Sequence, residues 1–114
     1  MRRVVLESPY AGDVQRNTAY ARAALADSLR RGEAPIASHL LYTQPGVLDD
    51  LIPEERARGI EAGLVWADLA DASVFYIDHG WSPGMLNALE RAHSHGASVE
   101  IRRLYREPLA ETVP

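Results

Sequence analysis

Short apolar runs that end in turn-forming residues recur along the chain, and they predict the strands of the fold. Val4-Val5-Leu6 stops shortly before Pro9, and Ala72-Ser73-Val74-Phe75-Tyr76-Ile77 stops at Asp78-His79-Gly80. Two weaker runs show the same pattern. In chain order, the predicted strands are residues 4–6, 34–38, 72–77 and 97–101.

Apolar and small residues spaced three and four apart lie between these runs and predict helices over about residues 13–31, 53–70 and 82–96. Asp13 and Ser82 suit N-caps, Pro53 suits a first turn, and Gly32 and Gly96 suit helix ends. The predicted buried faces are Val14, Thr18, Ala21, Leu25 and Ser28 or Leu29 in the first helix, Ile60, Gly63, Leu64 and Ala67 in the second, and Met85, Leu86, Leu89 and Ala92 in the third.

The order of these elements predicts the fold class. Strands that alternate with helices form a parallel sheet covered on both faces. We therefore expect an α/β protein, a three-layer flavodoxin-like or Rossmann-like sandwich with four to five parallel strands. Residues 42–52 have no sustained period and are expected to form a long loop, which is often a functional feature. The domain is expected over residues 1–103, with a tail over 104–114.

Composition narrows the chemistry. The chain has 114 residues, 46% of them hydrophobic, which is one domain of ordinary globular composition. It has no Cys, and its 12 cationic residues are all Arg, so thiol and lysine chemistry are excluded. A net charge of -4 does not favour direct nucleic-acid binding, and no apolar run is long enough to span a membrane. We expect a cytoplasmic protein, because the first residues do not resemble a signal peptide. We expect no metal site, because His93 and His95 do not share a helix face, and we expect no cofactor.

Polar and glycine-rich residues cluster where the predicted strands end. In a parallel sheet, ligands bind outside the carboxyl ends of the strands. These ends carry the runs Ser8-Pro9-Tyr10-Ala11-Gly12-Asp13, Ser38-His39 and Asp78-His79-Gly80-Trp81-Ser82-Pro83-Gly84. The sequence therefore predicts a ligand site at this edge.

Each candidate in this cluster also has a structural interpretation. Ser82 and the following N–H groups could hold an anion or simply cap a helix. Asp78 could act as an acid or base, or cap its loop. His39 could contact a ligand, or be a buried structural histidine. Tyr10 and Trp81 could hold a planar base between them, or pack within their loops.

Four blocks of the sequence resemble a known superfamily between residue 4 and about residue 103. They resemble small phage and bacterial proteins related to nucleoside 2-deoxyribosyltransferases and to 2′-deoxynucleoside 5′-phosphate N-hydrolases. The blocks are Ser8-Pro9-Tyr10-Ala11-Gly12-Asp13-Val14-Gln15-Arg16-Asn17, Ala37-Ser38-His39-Leu40-Leu41, Pro53-Glu54-Glu55-Arg56, and Ser82-Pro83-Gly84-Met85 with Glu90-Arg91-Ala92.

The resemblance implies a nucleoside or nucleotide pocket in a homodimer or larger homo-oligomer. It implies that residues 8–13, including Ser8, Tyr10, Gly12 and Asp13, contact sugar or phosphate. Ser82 and Gly84 would form the helix start that holds phosphate or sugar, and Asp78 would assist departure of the base. The unexplained apolar tail residues are also consistent with a subunit contact. They are Leu104, Tyr105, Leu109 and Val113.

The chain departs from the superfamily at one position. The resemblance implies a helix glutamate that attacks the anomeric carbon, and its expected position holds Ala88. Glu90 is the nearest carboxylate and becomes the second catalytic candidate beside Asp78. Two residues correspond to about 200° around a helix, so Glu90 replaces that group only in a shifted register. Asp78 could instead activate water directly.

These residues favour two functions over a third, a structural or partner-binding module that holds no ligand. One is hydrolysis or transfer at the N-glycosidic bond of a nucleotide or nucleoside. The other is a non-catalytic protein, phage-encoded for example, that senses or sequesters a nucleotide-derived ligand. A short chain leaves little room for a lid, so a closed site would take walls from residues 42–52 or from a neighbouring subunit.

Overall fold

Four strands and four helices alternate along the part of the chain that the computed structural model describes, residues 1–105. In chain order they are β1 (Arg3–Glu7), α1 (Val14–Arg30), β2 (Ala34–Ile36), α2 (Ser38–Leu41), α3 (Pro53–Leu69), β3 (Ala72–Tyr76), α4 (Pro83–Ser94) and β4 (Val99–Arg102). Within this part of the chain, no helix has the length and apolar character needed to cross a bilayer.

The strands form one parallel sheet in the order β2-β1-β3-β4. Side chains alternate between its two faces, because successive residues of a strand point in opposite directions. On one face, Leu6 packs with Tyr20 of α1, and on the other Phe75 packs with Leu64 of α3 and Met85 of α4. The three-layer, flavodoxin-like α/β sandwich predicted from the sequence is confirmed.

The predicted helix ends are confirmed by their capping geometry. The Asp13 carboxylate accepts a hydrogen bond from the N–H of Arg16 at 3.1 Å, and the Ser82 hydroxyl accepts one from the N–H of Met85 at 3.2 Å. Gly32 follows α1 with a φ of +82°, in the left-handed region that favours glycine. These local signals set where α1 and α4 begin, after the loops that follow β1 and β3.

The predicted buried face of α1 is partly wrong. Val14 and Leu29 are 42% and 59% exposed, whereas Asn17 is buried. The Asn17 amide donates hydrogen bonds to the carbonyls of Tyr10 and Ala11, so a polar side chain satisfies the loop backbone from inside the fold. The helix is therefore rotated relative to an apolar-only pattern. In α4, likewise, Leu86 is exposed and Ala88 is buried.

The sequence does not predict the short helix α2, because residues 34–38 were expected to form a single strand. Strand β2 ends at Ile36, and α2 begins at Ser38. A Cβ on Gly63 of α3 would collide with the Ser38 side chain, so α2 packs very closely against α3. This tertiary contact leaves no pattern in the residues of α2.

Leu104 and Tyr105 follow β4 and return to the α1 face of the sheet. Leu104 packs against the core around Tyr20, and the Tyr105 ring makes an edge contact with the ring of Tyr20 at 5.8 Å. Their contact with a partner subunit stays a prediction. Leu109 and Val113, the other two residues of that prediction, lie outside the described residues.

Candidate functional site

A cavity of about 180 Å³ opens at the carboxyl ends of β1 and β3, on the face covered by α3 and α4. Its walls come from the end of β1, the start of α2, the middle of α3 and the first turns of α4. The predicted long loop closes one side through Tyr42, Thr43, Leu48 and Asp50. Residues of the loop 42–52 therefore wall this cavity, and that they wall a ligand site stays a prediction.

The cavity lies at the topological switch point of the sheet. From β1 the chain passes to β2 on one side, whereas β3 and then β4 lie on the other side. Loops after β1 and β3 therefore diverge, and in open parallel sheets the crevice between them binds ligands. Ser8, Tyr10, His39, Ser82 and Gly84 all line this cavity.

Ser8 and His39 form a hydrogen-bonded pair in the cavity wall. The Ser8 Oγ lies 2.8 Å from the His39 Nε2. Burial lowers the pKa of His39 to about 4, so its imidazole is neutral at physiological pH. The His39 Nδ1 is buried without a hydrogen-bond partner within residues 1–105. A neutral imidazole offers one donor and one acceptor, which suits recognition of a polar ligand better than binding of an anion.

The start of α4 presents its first turn to the cavity. Ser82, Pro83 and Gly84 line it together. Pro83 has no N–H and the N–H of Met85 is bonded to Ser82, so the N–H of Gly84 is the remaining donor of this turn. The helix dipole favours negative charge here. Ala88, one turn further along α4, adds an apolar patch to the same wall.

Glu7 is a cavity residue that the sequence analysis does not single out. It is the last residue of β1 and is partly buried. Burial raises the pKa of its carboxyl to about 7. The signal that could have identified it is its position, because an acid ending an otherwise buried strand sits at the ligand-binding edge of the sheet.

Arg56, Asp50 and Glu55 complete the polar lining near the loop. The Arg56 guanidinium donates to the Asp50 carboxylate at 2.6 Å, and the Glu55 carboxylate accepts the N–H of Asp49 at 2.8 Å. These contacts fix the loop onto the first turn of α3. Arg56 belongs to a block quoted above for the resemblance, but neither it nor Asp50 was predicted as a site residue.

Asp78 lies outside this cavity lining and is engaged on the α1 face. Its carboxylate accepts the Tyr20 hydroxyl at 2.6 Å and the N–H groups of Leu104 and Tyr105 at 2.7 and 3.2 Å. Burial opposes ionisation, but these donors outweigh it and hold the pKa of Asp78 below its ordinary value. These hydrogen bonds join α1 to the residues that follow β4. The catalytic role of Asp78 stays a prediction.

The structure does not bring the remaining predicted residues into the cavity lining. Gly12 and Asp13 lie at the entrance to α1, where Gly12 has a φ of +99°. The Trp81 ring packs on Phe75, 5.3 Å between centroids, and does not line the cavity that Tyr10 lines. Glu90 is exposed on α4 outside the lining. Their predicted contacts with a ligand stay predictions.

Comparisons with known proteins agree with the fold. The family described as Domain of unknown function (DUF7768) matches residues 2–102. Comparison with curated proteins gives no match. Among solved structures, the chain is similar to Clostridium botulinum CMP N-glycosidase, BcmB, with 12% identity and a TM-score of 0.52, over 98% of this chain and 77% of that chain. The chain thus shares its fold with a protein that is a CMP N-glycosidase.

Proposed function

Because the chain belongs to the family described as Domain of unknown function (DUF7768), whose description names no reaction, we propose from the site itself that the protein hydrolyses the N-glycosidic bond of a nucleotide or nucleoside. One observation carries this proposal. The cavity at the switch point of the sheet is lined by Ser8, Tyr10, His39, Ser82 and Gly84, which the resemblance and the strand-end rule single out together.

The lining suggests how such a ligand is held. A phosphate or a sugar hydroxyl binds at the first turn of α4, where the Gly84 N–H and the Ser82 hydroxyl can donate hydrogen bonds. Arg56 supplies the positive charge in the cavity lining. Tyr10 and the neutral His39 also line the cavity and contact the base or the sugar.

The size of the cavity bears on how the ligand lies. At about 180 Å³ it is smaller than the roughly 300–1,000 Å³ of typical small-molecule sites. A complete nucleotide would therefore extend out of the cavity. The scissile bond occupies the enclosed part, which limits access of bulk water to the reacting carbon.

The fold neighbour is consistent with this reaction class, since that protein is a CMP N-glycosidase. In the proposed reaction, the oxygen of water bonds to the anomeric carbon and the carbon–nitrogen bond breaks. The base leaves with the electron pair of that bond and takes up one proton. Water is the only co-reactant that this step consumes.

Incubation of the purified protein with a panel of ribonucleotides, deoxyribonucleotides and their nucleosides tests the proposal. We expect free base to appear from at least one of them, measured by liquid chromatography. A matched variant, Glu61→Gln, replaces an exposed carboxyl outside the cavity lining and should release base at the same rate. A panel that yields no free base from the wild type would overturn hydrolysis.

Ala88 favours a second candidate function, binding without chemistry. The resemblance places the attacking glutamate at this position, and here the side chain is a buried methyl group in the cavity wall. A protein that senses or sequesters a nucleotide would be stabilised by it without altering it. Native mass spectrometry of the purified protein would then show an intact bound nucleotide, and the panel above would show no release.

A further inference from the structure

We propose that Glu7, at the end of β1, is the catalytic carboxylate of the hydrolysis. It would take the place of the helix glutamate that the resemblance implies at the position of Ala88. This inference rests on the proposed function and names the group that activates water. Glu7 and Ala88 line one cavity from two elements, β1 and α4. The catalytic carboxylate therefore lies on strand β1 rather than on helix α4.

The register of the sheet places the Glu7 side chain on the correct face. Glu7 is paired with Phe75 across the parallel strands β1 and β3, so both side chains point to the same side of the sheet. Phe75 packs there with Met85 and Ala88 of α4. The preceding residue, Leu6, points to the opposite face and packs with Tyr20.

The other carboxyl groups in the cavity lining are already engaged. Asp50 is paired with Arg56 at 2.6 Å, and Glu55 accepts the N–H of Asp49. Within residues 1–105, by contrast, no hydrogen bond or ion pair engages the Glu7 carboxyl. A partly buried acid without a partner is costly to a fold, so its presence in the wall of a cavity points to an interaction with a ligand.

The environment of Glu7 also gives it the proton affinity of a general base. Burial raises the pKa of this carboxyl to about 7. A group with a pKa near the working pH can both take and return a proton, which is optimal for acid–base catalysis. An ordinary surface glutamate would be a much weaker base at the same pH.

The step balances with one water molecule. The Glu7 carboxylate accepts a proton from water as the water oxygen bonds to the anomeric carbon. The bond from that carbon to the base nitrogen breaks, and its electron pair leaves with the base. The proton held by Glu7 then passes to the departed base, which regenerates the carboxylate.

Glu7→Gln tests this role, with Glu61→Gln as the matched control. We expect Glu7→Gln to lower base release by at least about 100-fold, the usual contribution of a positioned base. The rise in melting temperature on adding the substrate should be retained, because Gln keeps the shape of the side chain. In the wild type, release should increase as the pH rises through about 7, since only the deprotonated carboxyl accepts a proton.

Stability supplies an independent readout. When folding raises the pKa of a carboxyl, the folded state loses stability as the pH rises above the pKa that the group has in the unfolded state. This loss grows until the pH reaches the pKa that the group has in the folded state. Glu7→Gln should therefore melt at or above the wild-type temperature at pH 8, while losing release. Loss of release that simply follows unfolding would overturn the role.

The remaining outcomes separate the two proposals. If the wild type releases base and Glu7→Gln releases it equally fast, the role of Glu7 is overturned and the proposed function stands. A wild-type profile without an ionisation near pH 7 counts against Glu7 in the same way. If the wild type releases no base from any substrate, both proposals fall.

Discussion

At the scale of single residues, Asp78 joins three parts of the α1 side of the molecule. Its carboxylate receives the Tyr20 hydroxyl and two backbone N–H groups, and its own N–H donates to the Tyr20 oxygen at 2.9 Å. His79 stacks on the same Tyr20 ring at 4.3 Å. This arrangement satisfies both oxygens of the carboxylate without a ligand.

Asp78→Asn should therefore lower the free energy of unfolding by about 1–3 kcal/mol, because an amide cannot accept all of these bonds. Base release per folded molecule should be unchanged. Urea denaturation and a release assay on the same preparation measure both quantities. A variant that keeps its stability but loses release would instead support the catalytic role that the sequence resemblance implies for Asp78.

Residue identity alone predicted part of the site and missed Glu7 and Arg56. Ser8, His39 and Ser82 were predicted because polar residues at strand ends follow a general rule of parallel sheets. Glu7 was missed because the apolar run ends at Leu6, one residue before strand β1 ends. Glu7 ends β1 and faces the α3 and α4 side of the sheet, as its partner Phe75 does. Asp78 follows β3 by two residues and makes its contacts on the α1 side. The sequence pattern alone does not show this difference, because it depends on how β1 and β3 are paired.

At the scale of elements, the close packing of α2 on α3 holds His39 at the cavity. The contact depends on Gly63, where any Cβ would collide with the Ser38 side chain. Helix α2 has only four residues, so it has little stability of its own and depends on this packing. The position of His39 is thus set by a glycine 24 residues further along the chain.

Gly63→Ala should destabilise the protein by about 1–3 kcal/mol, despite the higher helix propensity of Ala, because the added methyl forces α2 away. Gly59→Ala is the matched control on α3, where a Cβ would meet the flexible end of Leu48 at 3.1 Å. Thermal melts of the two variants beside the wild type measure the difference in stability. Equal melting temperatures for the two variants would contradict the packing argument.

Element boundaries were predicted well where capping chemistry is local, as at Asp13, Gly32 and Ser82. The buried face of α1 was predicted less well, since Asn17 is buried to satisfy loop carbonyls rather than to remove apolar surface. The short helix α2 was missed for a related reason. Its cause lies in α3, and single-segment patterns do not report contacts between segments.

At the scale of the whole molecule, a buried ion pair joins the two outer regions of the sheet. Arg102, at the end of β4, donates to both oxygens of Glu33 at 2.9 and 2.7 Å, and Glu33 immediately precedes β2. Strands β2 and β4 are the two edges of the sheet. Arg2 and Ser28 also donate to Glu33, so its carboxylate is fully satisfied.

Arg102→Gln should lower the free energy of unfolding by about 3–5 kcal/mol near neutral pH, because it leaves Glu33 buried without its main counter-charge. Arg102 is 4% exposed at its side chain, whereas Arg3, paired with Asp71, is 74% exposed. Arg3→Gln is therefore the control, and it should change the free energy of unfolding far less, because water screens an exposed ion pair. Urea denaturation of the two variants beside the wild type measures the difference.

The same pair sets the pH dependence of stability on the acid side. The Arg102 guanidinium holds the pKa of Glu33 well below its ordinary value. Such a group contributes stability that is present above its unfolded pKa and is lost as the pH falls towards the folded one. Melting temperatures of the wild type should fall between about pH 5 and pH 2, and those of Arg102→Gln should fall less, because in the variant the pKa of Glu33 lies closer to its unfolded value. Parallel curves for the two proteins would show that another carboxylate controls acid unfolding.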